Sequence, residues 1–308
     1  MANESENNLE STAGSEEGPN NASWELYLER KNSLLGFLHS QLDPQLLQYH
    51  QSKVEHLKRC YFYLEIEPKQ THFRDNNNAI QLVEVLRLID PWELQKMKQL
   101  GKTQTEIQLS LLTELLEQLE RGREELSCYA ETCEAPAFLA GWHWVTQRVS
   151  ELLKYMETLV SVEVPGKLYV KQQLVSHSFQ GGLRLPSISL SLSVKTPPIF
   201  DPEKSSAQQN SARLQWFTEN QESDLDQYEL ECELLIRDSR REMGYGRIQT
   251  VTSNTCVVHG LEPGRSYKFK IRRSDTGFLV YAKWFDSIVL TTKPMAVQVV
   301  DRSARPQG

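Results

Sequence analysis

The stretch from Gly260 to Arg272, GLEPGRSYKFKIR, predicts a tight turn that leads into a half-buried strand. Pro263 and Gly264 favour the turn. Beyond it, apolar and basic residues alternate with the period of two that turns one side of a strand inward. The inward set is Tyr267, Phe269 and Ile271, and the outward set is Lys268, Lys270 and Arg272. A tyrosine at the head of such a strand fits the corner of a β-sandwich, where the phenol bonds to upstream backbone.

Further β patterns surround this corner in the order of a single sandwich domain. They comprise Leu214 and Trp216, then Tyr228, Leu230, Cys232 and Leu234, then residues 255–258, and finally residues 284–292. Together with the corner, these segments resemble the fibronectin type III family, with Trp216 where that family carries its core tryptophan. The resemblance covers residues 196–294. It implies a β-sandwich that makes contacts with other molecules and has no enzymatic activity.

The first half of the chain has the apolar spacing of helices. Asp43 and Asp90 each stand before a proline as N-cap acceptors, and residues 103–106 (TQTE) match a capping box. The apolar stripe that starts at Leu47 takes in His50, as a hydrogen-bonded core or boundary histidine, and continues through Tyr61 and Leu64. The stripes are wider than a two-stranded seam, which favours a closed antiparallel bundle over an extended coiled coil. The predicted helices begin at Ser23, Pro44, Ala79, Thr103 and Pro136, with a short additional one after Pro91.

The chain is therefore predicted to be a multidomain α plus β protein, with an N-terminal antiparallel helical bundle followed by a fibronectin type III β-sandwich. Residues 187–194 alternate strictly and predict a strand. The sequence leaves open whether residues 167–194 form a hairpin between the domains or add strands to the sandwich. The predicted regions are a disordered acidic tail (1–22), the helical bundle (23–163), a connector with extended segments (164–195), the fibronectin type III domain (196–294) and a C-terminal tail (295–308).

Charge and cysteine content limit the classes of partner and the cellular compartments that we expect for this protein. The net charge is −7, and the five Glu of residues 1–22 leave only −2 for the remaining chain. No basic field is present, so we expect no nucleic-acid binding. We expect no secretory signal, because residues 1–19 have no apolar core behind a basic start. We expect no membrane insertion, because no apolar run reaches the roughly 20 residues of a membrane helix. The odd number of scattered cysteines, five in all, predicts reduced thiols in a cytoplasmic protein.

No pattern of catalytic or metal-ligating residues stands out from the sequence. Cys128, Cys133 and His143 lie close together, but a zinc site would need a second pair of ligands at short spacing. We interpret the two cysteines as ordinary thiols near the end of a helix. There is no phosphate-binding loop and no nucleophile elbow. We therefore expect no enzyme, no cofactor and no bound metal.

Two features favour protein binding. One is a set of arginines, which are common at contact surfaces although a solvated surface explains them as well. The other is the aromatic segment between the last two strands, residues 274–284, whose aromatics either contact a partner or complete the core. The candidate protein-binding residues are Arg272, Arg273, Phe278 and Tyr281, with Phe278 and Tyr281 expected to be exposed and Trp284 expected to pack inward. The arginine set is Arg237, Arg240, Arg241, Arg247, Arg272 and Arg273.

These residues predict a non-catalytic intracellular protein-protein interaction or scaffold protein that binds other proteins through the sandwich and the bundle. The alternative is an extracellular or matrix-adhesion protein exported by an unconventional route. Integrin-binding members of the family carry Arg-Gly-Asp where residues 273–275 of this chain are Arg-Ser-Asp. That activity is therefore not carried over.

Overall fold

The computed structural model describes residues 18–66, 74–75, 78–79, 90–164, 190–219, 227–235, 246–275 and 277–295. Within these ranges the chain begins with helices and continues into antiparallel sheets, as the sequence predicted. The described helices are α1 (Gly18–Ser40), α2 (Pro44–Arg59), α3 (Pro91–Thr132), α4 (Ala135–Ala140) and α5 (Trp142–Val162). Residues 1–17 of the predicted tail and the predicted helical segment 80–89 lie outside the described residues.

Two of the predicted helix starts have the expected caps. The Asp43 carboxylate accepts a hydrogen bond of 2.9 Å from the backbone N–H of Gln45 at the start of α2. The Asp90 carboxylate accepts one of 2.8 Å from the N–H of Trp92 at the start of α3. These bonds satisfy backbone donors that the first turn of a helix leaves without an intrahelical partner. Helix α1 begins at Gly18, five residues before its predicted start at Ser23.

The predicted helix start at Thr103 is wrong, because α3 continues unbroken for 42 residues from Pro91. The Thr103 hydroxyl donates a 3.0 Å hydrogen bond to the carbonyl oxygen of Gln99, one turn earlier in the same helix. A threonine that bonds to the preceding turn lies inside a helix rather than at its cap. The helix predicted from Pro136 is divided at Gly141 into α4 and α5.

The described strands form four sheets. They are β1 (Tyr61–Ile66), β2 (Arg74–Asp75), β3 (Asn78–Ala79), β4 (Leu190–Lys195), β5 (Ile199–Phe200), β6 (Ser206–Ala207), β7 (Ser211–Phe217), β8 (Tyr228–Leu234), β9 (Arg247–Val251), β10 (Thr255–His259), β11 (Ser266–Arg273), β12 (Leu279–Tyr281) and β13 (Asp286–Thr291). The sheet orders are β12-β1-β4, β10-β7-β5 with β6 on β7, β13-β11-β8-β9, and the short pair β2-β3. Ala79, a predicted helix start, lies in β3.

Strand β1 corrects the prediction that Tyr61 and Leu64 continue the stripe of α2. The four residues from Tyr61 to Leu64 are all buried, which is the burial of a strand covered on both faces. The strand pairs antiparallel with β4 on one side and with β12 on the other. Residues 190–194 therefore belong neither to an interdomain hairpin nor to the two sheets of the sandwich. Residues 165–189 lie outside the described residues.

The described residues divide into two compact units. The first comprises residues up to Lys53 and residues 111–163, and its core is helical. His50 is buried there against the carboxylate of Glu163, as expected for a core histidine, and Lys53 contacts the second carboxylate oxygen at 2.8 Å. The buried apolar residues of its helices include Leu112, Leu119, Leu126, Phe138, Val145, Leu152 and Leu159.

The second unit, residues 54–110 and 164 onwards, contains the sandwich and the three-stranded sheet. The sandwich core lies between its two sheets and contains Trp216, Leu230 and Phe269, each at most 1% exposed. A smaller core joins the three-stranded sheet to the first half of α3. The helix passes close to this sheet at Gly101, where a Cβ atom would be 3.3 Å from Leu192 and from Val280.

Candidate protein-interaction surface

The corner predicted from the sequence is present at the start of β11. The Tyr267 hydroxyl oxygen accepts a 2.8 Å hydrogen bond from the backbone N–H of Glu262. Gly264 turns the chain with a φ of 70°, which a residue with a side chain rarely adopts. Tyr267, Phe269 and Ile271 are buried, as the period of two predicts. The alternate residues of β11 consequently point away from the core.

These alternate residues form a network of ion pairs with β8. The Arg272 side chain donates from Nε to the Glu229 carboxylate over 2.7 Å. Lys270 lies between Glu233, at 3.2 Å, and Glu231, at 3.4 Å. The hydrogen bond to Glu233 and the neighbouring Glu231 raise the pKa of the Lys270 ammonium above its usual value. Lys270 and Arg272 thus each have an acidic partner on the next strand.

On the same face of this sheet, exposed apolar side chains of the two edge strands flank the ion pairs. Ile248 stands opposite Glu231 in register on one edge strand and is 59% exposed. Val289 stands opposite Lys268 on the other edge strand and is 53% exposed. We call this surface the outer sheet face. It consists of Glu229, Glu231, Glu233, Ile248, Lys268, Lys270, Arg272 and Val289, and of Phe285, whose ring centroid lies 5.8 Å from the Lys270 ammonium.

Of the four candidate binding residues, Arg272 is exposed on the outer sheet face, whereas Arg273 is buried. Arg273 donates a 2.7 Å hydrogen bond from Nε to the Thr196 carbonyl oxygen, and its guanidinium lies 5.8 Å from the centroid of the Tyr228 ring. The period of two already places Arg273 on the inward side of β11 with Ile271. That signal was available in the sequence and opposes a role for Arg273 as an exposed contact.

The prediction that Phe278 and Tyr281 are exposed is wrong. Tyr281 is buried in β12 and Phe278 is half-buried against the same small core. The carbonyl oxygen of Phe278 accepts a 2.9 Å hydrogen bond from the N–H of Leu64, so this segment is held by β1. Trp284 is half-buried, and its carbonyl oxygen accepts a 2.7 Å hydrogen bond from the Tyr61 hydroxyl. The segment that connects β11 to β13 thus contains β12, an edge strand of the three-stranded sheet. The role of Phe278 and Tyr281 in binding stays a prediction.

The remaining candidates from the sequence are the other arginines, the cysteines and possible metal ligands. Arg247 is exposed at the start of β9, while Arg237, Arg240 and Arg241 lie outside the described residues. All five cysteines are described and none forms a disulfide. In the part of the chain that the structure describes, no three or more His, Cys, Asp or Glu side chains are grouped so that they could hold a metal ion. None of the described helices has the length and apolarity needed to cross a membrane.

Two four-stranded antiparallel sheets, a tyrosine corner and a core tryptophan define a fibronectin type III-like sandwich, here preceded by a helical region. Domains of this class generally mediate protein interactions. The chain belongs to the family of unknown function DUF5581, whose N-terminal domain matches residues 20–190 and whose Fn3-like domain matches residues 195–298.

The chain is similar to two curated relatives and, over its sandwich, to a solved structure. It is 41% identical over 271 residues to human fibronectin type III domain-containing protein 11, covering 88% of this chain and 85% of that protein. The bovine protein of the same name is also 41% identical and is covered to 81%. The solution structure of the fibronectin type III domain of human fibronectin type III domain containing protein 3 is 17% identical, with a TM-score of 0.26, over 34% of this chain and 93% of that chain.

Proposed function

We propose that this protein is a non-catalytic, intracellular interaction or scaffold protein that binds another protein through the outer sheet face. The observation that carries the proposal is the exposure of Ile248 and Val289 on either side of an ordered row of ion pairs. Apolar side chains beside fixed charges are the arrangement from which protein interfaces obtain both affinity and register. We assign contacts and no catalytic step to these residues.

The ion pairs support binding because they are already ordered before a partner arrives. Arg272 and Lys270 each contact a carboxylate of β8, so little side-chain freedom remains to be lost on binding. The face carries three acidic and three basic side chains, and therefore no net charge, which favours a partner with its own mixed charges over a polyanion or a polycation. The apolar flanks would supply most of the binding free energy.

An intracellular location is supported by the cysteines. All five are unpaired, and free thiols persist where glutathione and thioredoxin keep the environment reducing. The three cysteines that the sandwich and the three-stranded sheet enclose, Cys60, Cys232 and Cys256, fill core space as small apolar residues. We propose the cytoplasm as the compartment.

The proposal is tested by comparing two variants that place charged side chains on opposite faces of the sandwich. The full chain carrying Ile248→Glu with Val289→Glu, and the control Val257→Glu, are expressed in the native cell type, and captured proteins are quantified. Val257 is 48% exposed on β10 in the other sheet, so it matches the test positions in exposure and strand context. The double variant should lose the wild-type partners, because each Glu faces an apolar contact, while the control keeps them.

An affinity measurement and three further outcomes distinguish binding through the outer sheet face from binding through the acidic tail and from an extracellular role. For a partner identified in this way, the affinity for the purified double variant should fall at least about tenfold, which corresponds to about 1.4 kcal/mol. Equal capture by both variants would contradict the outer sheet face. Loss of capture on deletion of residues 1–17 alone, which precede α1 and contain all five Glu of the acidic tail, would assign binding to that tail. Residues 21–23, Asn-Ala-Ser, match a glycosylation sequon. Recovery of the protein from culture medium with Asn21 glycosylated would support the extracellular alternative instead.

A further inference from the structure

The charges of the outer sheet face are separated by sign into two columns. The three acidic side chains all lie on β8, and the three basic ones all lie on the neighbouring strand β11. The pairs in register are Glu229 with Arg272, Glu231 with Lys270, and Glu233 with Lys268. The centre of the face is therefore neutral as a whole but has an acidic half beside a basic half. Its complement is a surface that carries the same two columns in the opposite order.

The two edge strands of this face differ in the order of large and small residues. On β9, the exposed Ile248 stands between Gly246, two residues before it, and a threonine two residues after it. At β13 the order is reversed, because the small Ser287 stands between Phe285 and Val289. One edge strand thus projects a single large apolar side chain, and the other leaves a gap between two of them.

We propose that the outer sheet face binds a second copy of this chain, packed face to face about a two-fold axis that runs along the strands between β8 and β11. This inference rests on the proposed function, because it assigns a partner to the same face. A two-fold axis makes each surface meet itself. The axis along the strands exchanges the two central strands and the two edge strands, and it keeps each residue in its own row of the sheet. The acidic column of each copy then lies over the basic column of the other.

The central row of the face shows how the two surfaces fit. Its residues in register across the four strands are Ile248, Glu231, Lys270 and Ser287. After the two-fold rotation, Glu231 of each copy faces Lys270 of the other. Ile248 faces Ser287, so its side chain enters the gap that the serine leaves between two larger apolar side chains. Charge and side-chain size are therefore complementary in the same arrangement.

The same pattern disfavours the other arrangements of two such faces. A two-fold axis that runs across the strands through the central row would place Glu231 over Glu231 and Lys270 over Lys270. Like charges that face each other across an interface are repulsive. A partner with a single sign of charge would likewise be repelled by one of the two columns. A second copy matches both columns and both edge strands at once.

The contact is small, which sets the concentration at which it should be observed. Four strands about 4.8 Å apart and three rows about 7 Å apart cover roughly 15 Å in each direction. Stable interfaces bury roughly 1,200–2,000 Å², so association at high micromolar concentration is expected from this smaller area. Sedimentation of the full chain over a concentration series should show the mass rising from 35.5 kDa towards twice that value. The association constant should fall several-fold between about 0.05 M and about 0.5 M NaCl, because salt screens the facing charges.

Charge exchange within the central row tests both the face and the axis. Glu231→Lys alone and Lys270→Glu alone each place like charges over one another, so each variant should stay monomeric. An equimolar mixture of the two should associate, because every lysine of one variant then faces a glutamate of the other. The double variant Glu231→Lys with Lys270→Glu should associate with itself, which the axis across the strands would not allow. The control Lys204→Glu reverses one member of an exposed ion pair outside this face and should associate like the wild type.

Several results would overturn the second copy as the partner. They are a wild type that stays monomeric, single variants that associate as the wild type does, a mixture or a double variant that stays monomeric although urea unfolding shows that each chain is folded, and association that salt does not weaken. The proposed function fails through a different result. If Ile248→Glu with Val289→Glu keeps the captured partners, the outer sheet face is not the binding surface, whereas a monomeric wild type overturns the second copy alone.

Discussion

The rings of Phe62 and Tyr281 meet edge to face, with centroids 5.7 Å apart. Phe62 belongs to β1, which follows a helix of the N-terminal half, and Tyr281 belongs to β12, between the last two strands of the sandwich. This contact ties the sandwich to a strand that lies far before it in the sequence. The segment that connects the last two strands of the sandwich is therefore built into the second unit and is not a free binding loop.

The first prediction is that Tyr281→Ala destabilises the second unit. Its buried ring contacts Phe62, and truncating a buried aromatic side chain to alanine typically costs about 3–5 kcal/mol. Urea unfolding of the full chain should show a lower midpoint for the transition of the sandwich. Val289→Ala, at an exposed position of β13, should change stability by no more than about 0.5 kcal/mol. An unchanged midpoint for Tyr281→Ala would show that β12 does not pair with β1 in solution.

The second prediction concerns the corner at the start of β11. Tyr267→Phe keeps the buried ring but removes the oxygen that accepts the 2.8 Å hydrogen bond from Glu262. Because a single hydrogen bond contributes about 0.5–1.5 kcal/mol net, the free energy of unfolding should fall by about that amount. The control is Tyr155→Phe, at a half-buried position of α5. Equal stability of the two variants would mean that the corner bond contributes nothing measurable.

Local patterns were sufficient wherever the partner of a residue lies close in sequence. The turn at Gly264, the inward residues of β11 and the caps at Asp43 and Asp90 all follow from spacing within a few residues. Each depends on hydrogen bonds or on a strand period that the local sequence already determines. These elements confirm the sandwich and the helical first half.

The sequence did not predict the structure where the contact that determines it is with residues far away along the chain. The aromatic run from Tyr61 to Leu64 fits the end of a helix and a buried strand equally well, and its strand partners lie at residues 190–195 and 279–281. The exposure of Tyr281 could not be judged without knowing that Phe62 covers it. Thr103 shows a different ambiguity, since its hydroxyl can cap a new helix or bond to the preceding turn of an existing one.

The third prediction orders the cysteines by reactivity. Burial raises the pKa of the Cys60 and Cys232 thiols from the ordinary 9.0 to about 11. Since the thiolate is the reactive form, only about one thousandth of either thiol is reactive at pH 8. Exposed Cys128 should therefore be alkylated first, and Cys60 and Cys232 last.

Quenched alkylation followed by peptide mass spectrometry measures these rates, with the urea-unfolded chain as the control in which all five cysteines react alike. Between pH 8 and pH 9 the thiolate fraction of a group with a pKa of about 11 rises about tenfold. The rate at Cys60 and Cys232 should increase with it. Native-state alkylation of either residue as fast as Cys128 would contradict their burial.

The last prediction is that alanine has opposite effects at two helical glycines. At Gly36, on the exposed side of α1, an added Cβ meets no atom within 4 Å. Gly36→Ala should therefore stabilise the chain by about 0.5–1 kcal/mol, because alanine loses less backbone freedom in a helix. At Gly122 the added Cβ would lie within 3.1 Å of three side-chain carbon atoms of Leu152. Leu152 is fully buried, so it has no space into which it can move.

Overpacking of this kind costs about 1–3 kcal/mol, which exceeds the helical preference of about 1 kcal/mol that alanine gains over glycine. Gly122→Ala should consequently lower the free energy of unfolding while Gly36→Ala raises it, as measured by urea denaturation of both variants beside the wild type. Gly122→Ala with Leu152→Ala then removes the obstructing side chain, so the two changes should cost less than the sum of their separate effects. If Gly122→Ala is stabilising on its own, α3 and α5 do not approach each other as closely as the structure describes.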